Sequence, residues 1–440
     1  MAGLAPADTE ATEGRAVTEE LLRSRRRRGA ALDEFRGVRE RGIPGFEDAV
    51  PPLPNKIVVT GGTGCVGTSL LGLLRTLGVQ ELTSFSRRPP SSQRRHRGVS
   101  YRQVDIRDPS SVRAALREKE PDLVIHLAGQ RQPALAERRV AETISSNVIG
   151  TMSVLASAGA TGVPRVVTAS TGKSLRFFAS EVYAATKKMA EYLVAIAPER
   201  WGVSTSTTRF THIVDNSVAY RRFRRWAHSG APIKLHAPGI AFYAQSAREA
   251  AQLLVATIPS MHSAMPKLTV LADIGWPHDL LDLALDVIED EQSDSFLCFT
   301  GYEPGYMDQI YPGTFDPLRD DCSPLLNVVE TERMTSSPDG LPRIQRIQMV
   351  PTADASLDDA IQCLEASWRR GAAAVELRAQ LHIASVALLK KTFEDASARD
   401  LETILSLARD KVGHAKEHRI VHRQLKTAAK AQGVAQRLAS

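Results

Sequence analysis

Tyr183 and Lys187 lie four residues apart in the stretch ASTGKSLRFFASEVYAATKKMAE, which runs from Ala169 to Glu191. Residues with this spacing are neighbours on one side of a helix. A free tyrosine has a pKa near ~10 and is a poor base at neutral pH, but a neighbouring ammonium group favours the phenolate. The spacing therefore predicts a proton-transfer pair, and the alternative is a chance pairing on an exposed helix.

A glycine-rich stretch, TGGTGCVG, places Gly61, Gly64 and Gly67 at the spacing G-x-x-G-x-x-G. It follows the β-branched run KIVVT and precedes the helix-like segment TSLLGLLRTL. Glycine lets the backbone turn tightly and approach a pyrophosphate, which then binds the N–H groups at the start of the helix. This context favours a nucleotide site over a simple tight turn.

The next strand-like segment ends in FSRR, at the place where an NAD-specific fold has a carboxylate for the ribose 2′-OH. Ser86, Arg87 and Arg88 offer a hydroxyl and cations that suit a 2′-phosphate. The predicted cofactor is therefore NADP rather than NAD, and the alternative is a pair of exposed arginines at a strand end. Asp105, in VDIRD, is predicted to accept a hydrogen bond from the adenine amino group. No H-x-x-H, H-E-x-x-H or cysteine cluster indicates a metal site.

The elements that must position these residues alternate between strand and helix. After KIVVT come the strand-like segments ELTSF, VSYRQV, DLVIHLA and PRVVTAS, separated by helical segments. This alternation predicts an α/β fold, with right-handed βαβ units in a Rossmann-like doubly wound parallel sheet. Such a sheet binds nucleotides at its carboxyl edge.

Three regions differ in composition. Residues 1–54 are polar and basic, end in PPLP, and are predicted to form a helical arm and linker. Residues 55–385 are predicted to form the main domain, with residues 55–210 mainly binding the nucleotide and residues 211–385 mainly binding the substrate. Residues 386–440 are predicted to form a charged helical extension.

Both tails carry apolar residues at helical spacing. In the arm they are Leu21 and Leu22, and in the extension they are Leu401, Ile404, Leu405, Ala408 and Val412. We expect at least one tail to bury these residues against another subunit, which predicts a homo-oligomer. The arm also contains the arginine cluster RSRRRRG at residues 23–29, interpreted as a solvated helix face or subunit contact. Nucleic acid is not a predicted partner, because no aromatic residues are interleaved with these arginines.

The 440 residues can bury a large core, and the formal net charge of +6 is modest for this length. No apolar run approaches the ~20 residues that span a bilayer, so no membrane partner is predicted. The stretch MAGLAPADTEATEG has no basic segment followed by an apolar one, which argues against a secretory signal. The cysteines, Cys65, Cys298, Cys322 and Cys363, are widely scattered and favour a reduced, cytoplasmic compartment.

The motifs TGGTGCVG, VDIRD, VIHLAG, NVIGT and YAATK occur in the order and spacing of an extended short-chain dehydrogenase/reductase, which the chain resembles over roughly residues 55–385. More narrowly, it resembles the polysaccharide-biosynthesis, CapD-like branch, which includes the inverting UDP-N-acetylglucosamine 4,6-dehydratases and is related to the sugar epimerases. The resemblance implies an NADP-dependent enzyme that transfers hydride at a carbinol of a sugar or nucleotide sugar. The implied reaction is that of an epimerase, a keto-reductase or a dehydratase.

The resemblance also implies roles for single residues. Tyr183 would take the proton of the sugar hydroxyl, Lys187 would also bind the nicotinamide ribose, and Thr171 or Ser170 would hydrogen-bond the same oxygen. Asn147, in NVIGT, would help to position the lysine. The predicted cofactor-binding residues are Thr60, Gly61, Thr63, Gly64, Cys65, Val66, Gly67, Ser86, Arg87, Arg88, Asp105, Ile106, Leu127, Ala128, Gly129, Tyr183 and Lys187.

Gly172 is a departure from the family pattern. The dehydratases of this branch read serine-threonine-aspartate-lysine here, whereas this chain reads STGKS, in which only Lys173 of the acid–base pair is retained. The resemblance makes that aspartate and lysine the acid and base of elimination, and a glycine cannot donate a proton. Either another acid substitutes, Glu181 being the nearest in sequence, or elimination is not the reaction. Epimerisation or keto-reduction is therefore predicted to occur more readily than 4,6-dehydration.

The substrate side departs from the family as well. In RFTH, Arg209 is retained but His212 replaces an asparagine, and in GYEPGY, Glu303 replaces an arginine. Losing cations that clamp a diphosphate weakens the case for an ordinary nucleotide sugar. His212 is interpreted either as an acid or base or as a packed, hydrogen-bonded histidine. The predicted substrate-binding residues are Arg131, Arg209, His212, Ser217 and Glu303.

These departures leave a second class of function open, a non-catalytic relative that uses the nucleotide fold for assembly or regulation. The intact pair of Tyr183 and Lys187 favours the enzyme, because a protein without catalysis has little reason to keep both.

Overall fold

A computed structural model of the protein describes residues 6–25, 31–258, 265–301, 323–335, 340–350, 353–408 and 416–434. The predicted residues Glu303, Cys322 and Val412 and much of the arginine cluster lie outside these ranges.

The strands alternate with helices through the first half of the chain. In chain order the strands are β1 Lys56–Thr60, β2 Glu81–Ser86, β3 Val99–Gln103, β4 Leu123–His126, β5 Arg165–Thr171, β6 Ser204–Phe210, β7 His212–Ile213, β8 Ile233–Leu235, β9 Ala241–Phe242, β10 Ala244–Gln245, β11 Lys267–Leu271, β12 His278–Asp279, β13 Leu297–Phe299, β14 Met334–Thr335 and β15 Ile344–Gln348. The helices are α1 Pro6–Arg25, α2 Ala31–Gly37, α3 Cys65–Thr76, α4 Pro109–Lys119, α5 Pro133–Arg138, α6 Val140–Ile144, α7 Gly150–Ala160, α8 Val182–Trp201, α9 Val218–His228, α10 Ala247–Ala256, α11 Leu280–Asp290, α12 Val328–Thr331, α13 Ala355–Arg369, α14 Ala374–Glu394, α15 Ala398–Ala408 and α16 Lys416–Ala431.

The chain divides into two compact units. Unit 1 contains Met1–Gly42, Thr211–Glu249 and Ile274–Asp308, and unit 2 contains Ile43–Phe210, Ala250–Asp273 and Gln309–Ser440. The predicted division into nucleotide-binding and substrate-binding parts concerns function, and it stays a prediction. The predicted boundary at residue 386 lies within the continuous helix α14.

Unit 2 is built on a nine-stranded sheet with the order β14-β15-β11-β6-β5-β4-β1-β2-β3. The strands from β3 through β11 are parallel to their neighbours, and β15 and β14 are antiparallel. The strand order reverses between β1 and β4, which is where doubly wound sheets bind their ligands. The predicted Rossmann-like doubly wound sheet is therefore confirmed.

The central strands β1 and β4 are largely apolar, as is typical of parallel strands that are buried on both faces of a sheet. Val58 of β1, Val124 of β4 and Val166 of β5 are almost wholly buried in one hydrophobic cluster. The same cluster takes in Leu193 from α8 and Leu357 from α13. This packing fixes α8, the helix that carries Tyr183 and Lys187, against the sheet.

Unit 1 contains three short strand pairs, β7 with β10, β8 with β13 and β9 with β12. Its hydrophobic cluster includes Phe35 of α2, Phe223 of α9 and Val287 of α11. Leu21 and Leu22 of the arm pack on this cluster.

The C-terminal helices form a further cluster within unit 2. Leu401 and Ile404 of α15 and Leu425 of α16 are fully buried there, together with Phe177 and Phe393. The apolar residues of both tails that the structure describes are therefore packed within one chain. The expected packing of a tail against a second subunit, and with it the homo-oligomer, stays a prediction.

Candidate active site

The glycine-rich loop joins β1 to α3 at the carboxyl edge of the sheet. Gly61 has φ +75°, and a Cβ there would lie 2.7 Å from the backbone nitrogen of Ala128. A Cβ on Gly67 would lie 2.4 Å from the carbonyl oxygen of Gly61. These two positions therefore require glycine, one for the left-handed turn and both for close backbone approach.

Helix α3 begins directly after this loop. Its N-cap residue, Gly64, provides no side-chain hydrogen bond to the helix. The first N–H groups of a helix have no partner within the helix, so those at Cys65, Val66 and Gly67 are oriented to bind an anion. Thr63 is exposed in the same loop. The loop therefore fits the pyrophosphate of a dinucleotide.

Hydrogen bonds join this loop to the end of β4, and they involve Thr60, Leu127 and Ala128. The Thr60 hydroxyl accepts a bond from the Ala128 N–H at 3.3 Å, and the Leu127 N–H donates to the Thr60 carbonyl at 3.0 Å. His126 Nδ1 lies 2.7 Å from the Thr60 hydroxyl. Burial and the charge of Lys187 lower the pKa of His126 to about 3, so this imidazole is neutral.

Cationic side chains surround the end of β2. Arg87 and Arg88 are exposed, and the buried hydroxyl of Ser86 has no hydrogen-bond partner among the described residues. Arg107 forms a bidentate pair with Asp105, with a shortest distance of 2.6 Å, and this contact lowers the pKa of the carboxyl. The sequence reasoning singled out Asp105 but not Arg107, although both stand in VDIRD. An unpartnered hydroxyl beside exposed cations fits a 2′-phosphate.

Asn147 lies in a π-helical stretch, Ser145–Ile149, between α6 and α7. Its side chain bonds both backbone groups of Gln130, accepting from the N–H at 2.7 Å and donating to the carbonyl at 3.1 Å. It also donates to the Thr186 hydroxyl on α8 at 3.1 Å. A Cβ on Gly129 would lie 2.8 Å from the Asn147 side-chain oxygen. Asn147 thus ties the loop after β4 to the residue that precedes Lys187. Nearby, a Cβ on Gly150 would meet the buried Ile106 at 2.7 Å.

Three side chains act on the Tyr183 phenol: Thr171, Glu181 and Arg131. Burial raises the pKa of the phenol, and the charge of Glu181 also raises it. A hydrogen bond with the Thr171 side chain and the charge of Arg131 lower this pKa. The Lys173 N–H donates to the Thr171 hydroxyl at 3.4 Å. The structure therefore brings the predicted Tyr183, Thr171, Lys173 and Arg131 together at the carboxyl end of β5.

Lys187 lies one turn further along α8. Its ammonium group donates to the Ala169 carbonyl at 2.5 Å, and burial lowers its pKa to about 8 against the opposing charge of Glu191. Ser170, also predicted here, lies 3.1 Å from the Ser174 hydroxyl, oxygen to oxygen, and bonds Glu191.

Arg209 is not free to bind a substrate in this structure. Its side chain is 1% exposed and donates to Glu191, Glu330 and the Leu325 carbonyl. These bonds occupy all five of its N–H donors. The predicted substrate-binding role of Arg209 is therefore not supported, because the guanidinium links α8 to α12 inside unit 2. Neither acid was singled out from the sequence, since a lone glutamate carries no local signal of a distant partner.

The predicted residues His212 and Ser217 lie in unit 1 and bond each other. His212 Nε2 is 2.7 Å from the Ser217 hydroxyl, which also accepts the Tyr220 N–H at the start of α9. Burial lowers the pKa of His212 to about 4, and the charge of His278 acts in the same direction. The ring packs 4.9 Å from that of Phe242, centroid to centroid. Of the two interpretations, the packed, hydrogen-bonded histidine is the one that these contacts support.

The segment between β5 and α8, residues 172–181, is the active-site loop. Asn327 donates to the Leu175 carbonyl at 2.9 Å, and Lys188 donates to the Ser174 carbonyl at 3.0 Å. The Phe177 ring packs 5.1 Å from that of Phe393 on α14. The Ser180 N–H donates to Glu417 of α16 at 2.6 Å. The C-terminal helices therefore fix the conformation of this loop.

A cavity of about 140 Å³ lies along α8 in unit 2. Its lining includes Lys188, Arg209, Glu330, Arg333 and Lys391. Tyr183 and Lys187 are not among the residues that line it. No cluster of histidine, cysteine, aspartate and glutamate that could hold a metal ion occurs within the described ranges. Among the helices of those ranges, none is long and apolar enough to cross a membrane.

Comparison with known proteins shows what this fold and glycine loop resemble. Residues 57–225 match the model of the NAD dependent epimerase/dehydratase family. Over 273 residues the chain is 25% identical to the capsular polysaccharide biosynthesis protein CapD of Staphylococcus aureus, covering 58% of this chain and 44% of that protein. The probable polysaccharide biosynthesis protein EpsC of Bacillus subtilis is 26% identical over 213 residues, covering 46% and 34%. The chain spans less than half the length of these two relatives.

Two solved structures share the fold. UDP-glucose 4-epimerase of Thermus thermophilus, in complex with NAD, has a TM-score of 0.50 and 19% identity, covering 57% of this chain and 88% of that one. Pen from Bacillus thuringiensis has a TM-score of 0.56 and 21% identity, covering 68% and 91%. The predicted resemblance to an extended short-chain dehydrogenase/reductase of the CapD-like branch is confirmed by these matches.

Proposed function

We propose that this chain is an NADP-dependent enzyme that oxidises a carbinol of a sugar or nucleotide sugar, as an epimerase, keto-reductase or dehydratase. A bound nicotinamide dinucleotide supplies the hydride acceptor. The observation that carries the proposal is the position of Tyr183 and Lys187 on α8, against the carboxyl end of β5 in the sheet that also holds the glycine loop. The polysaccharide-biosynthesis names of the relatives support a sugar as substrate.

The residues around the phenol have separate tasks in this proposal. Thr171 orients Tyr183, and Tyr183 receives the proton as the carbinol is oxidised. Lys187, one helical turn away, provides positive charge, because its pKa of about 8 leaves it mostly protonated at neutral pH. Asn147 positions the loop that carries Arg131, whose charge also favours the phenolate. Ser86, Arg87 and Arg88 would hold a 2′-phosphate, which is the basis for NADP.

Replacing Tyr183 with phenylalanine tests the proposal. We expect Tyr183→Phe to lower turnover of a nucleotide sugar by at least ~10²-fold, as is typical for a lost acid–base group. NADP affinity, measured by fluorescence titration, should stay unchanged. Tyr192→Phe is a matched control on the same helix, since Tyr192 is a buried tyrosine outside the predicted site.

The reaction type follows from a panel of nucleotide sugars incubated in deuterated water and analysed by mass. Epimerisation through a ketone adds deuterium without loss of water, whereas dehydration loses water. Equal turnover by Tyr183→Phe and the wild type would contradict the assignment of Tyr183. Failure of the wild type to bind NADP or convert any sugar would instead favour the non-catalytic alternative.

A further inference from the structure

Lys173 and Glu181 form an ion pair at opposite ends of the active-site loop. The Lys173 ammonium lies 2.9 Å from both carboxylate oxygens of Glu181. The two side chains are 33% and 18% exposed, so both reach solvent. Glu181 acts on the pKa of Tyr183, and Lys173 bonds the Thr171 hydroxyl through its backbone N–H. The pair therefore belongs to the same site as the phenol.

The structure explains why the carboxylate is not at position 172. A Cβ on Gly172 would lie 2.7 Å from a methyl carbon of Leu325, which is 4% exposed. Leu325 also offers its carbonyl to Arg209, so its position is held by the buried ion cluster. A side chain at residue 172 would have to displace this leucine. Glu181 instead brings a carboxylate to Lys173 from the far end of the loop.

We propose that Glu181 and Lys173 are the base and acid that eliminate water from a keto-sugar in this site, an inference that rests on the proposed function. Glu181 takes the proton from the carbon next to the ketone, and the electrons of that C–H bond form a C=C bond. Lys173 gives a proton to the hydroxyl on the following carbon, which leaves as water with the electrons of its C–O bond. The proton on Glu181 then passes to the neutral Lys173 across their contact, which restores the ion pair.

The assignment of base and acid follows from charge. In an ion pair the carboxylate is the partner that can accept a proton and the ammonium the partner that can give one. Two groups in direct contact face the same side of a bound sugar, so they suit the loss of a hydrogen and a hydroxyl from one face. Inversion at a carbon would need a second group on the opposite face. The expectation that elimination is disfavoured rested on a missing carboxylate, and Glu181 supplies one.

Solvent exchange tests the base without hydride transfer. The probe is a UDP-linked 4-keto-6-deoxyhexose with NADP in deuterated water, and deuterium entering the carbon next to the ketone is followed by NMR. We expect exchange by the wild type and a loss of at least ~10²-fold in Glu181→Gln. Glu181→Asp should keep part of the rate, which separates a missing carboxylate from a disturbed fold. Glu394→Gln is the matched control, because it breaks an exposed lysine–glutamate pair on α14.

Lys173→Met tests the roles within the pair. It should keep more exchange than Glu181→Gln, because the base remains, yet produce no dehydrated sugar from a full nucleotide-sugar substrate. The assignment would be overturned if Lys173→Met exchanged more slowly than Glu181→Gln, or if Glu181→Gln exchanged at the wild-type rate. Absorbance of reduced nicotinamide is recorded separately. Hydride transfer without Glu181-dependent exchange would reject this inference and leave the proposed function standing. Absence of hydride transfer would reject the proposed function, and with it this inference.

Discussion

The Tyr183 side chain lies in surroundings that oppose its ionisation. Burial and Glu181 both raise its pKa, and the Thr171 hydrogen bond and Arg131 act in the other direction. A tyrosine in this environment keeps its proton at neutral pH unless more positive charge is brought near it. For Tyr183 to act as the proton acceptor that we propose, the bound cofactor would have to supply this charge.

The charge of Arg87 is the residue-scale test of cofactor choice. We expect the wild type to bind NADP(H) more tightly than NAD(H), and Arg87→Ala to remove about 1.5–3 kcal/mol of NADP binding, the range for a hydrogen bond to a charged group. NAD affinity should change little, because the ribose 2′-OH carries no charge. Fluorescence titration of both cofactors measures this difference. Arg113→Ala, at an exposed arginine of α4, is the control. Equal affinities in the wild type, unchanged in Arg87→Ala, would refute NADP preference.

At the scale of elements, Arg209 holds three segments together. It joins Glu191 of α8 and Glu330 of α12 at the end of β6, and all three side chains are largely buried. Burial alone would raise the pKa of Glu191, but the charge and hydrogen bonds of Arg209, together with Lys188 and Ser170, outweigh burial and lower the net pKa. A carboxyl group whose pKa is lowered by folding stabilises the fold at pH values above its unfolded pKa of ~4.3. This contribution is lost as the pH falls through the pKa of the folded state.

Removal of this arginine should therefore be costly. We expect Arg209→Met to lower the free energy of unfolding by about 3–5 kcal/mol at neutral pH, because it leaves two carboxylates without their partner. The penalty should shrink in mildly acidic buffer, since Glu191 without Arg209 takes up a proton more readily. Urea denaturation over a pH series measures both effects. Arg369→Met, which breaks an exposed pair with Glu365, should cost at most about 1 kcal/mol. A penalty independent of pH would contradict the electrostatic explanation.

The elements of the nucleotide-binding half could be predicted from the sequence because their signals are local. KIVVT corresponds to β1, and the glycines of the next turn indicate the start of α3 to within a few residues. The partners of the active-site loop have no such signal. Asn327 and Leu175 are 152 residues apart, and Glu417 and Ser180 are 237 apart. A single glutamate or asparagine at such a distance looks like any surface residue until the chain is folded.

Across the molecule, the C-terminal helices are as much a part of the site as the sheet. Phe393 of α14 is fully buried against Phe177, so we expect Phe393→Ala to lower the free energy of unfolding by about 3–5 kcal/mol. Turnover should also fall, because the loop between Lys173 and Glu181 loses its support. Val375→Ala is the control on the same helix, since Val375 is 76% exposed. Stability is read by urea denaturation and turnover by mass. A variant of wild-type stability would show that this contact does not anchor the loop.

The contact between Glu417 and Ser180 bears on how such a chain can change over time. Two segments 237 residues apart are in contact one residue before Glu181, so a substitution in either segment changes the packing of the other. A chimera that receives the active-site loop of a relative without the matching C-terminal helices would lose a bond that holds the loop in place. Recombination with a relative would then succeed more often when both segments come from the same parent, even though the sequence between them is exchanged.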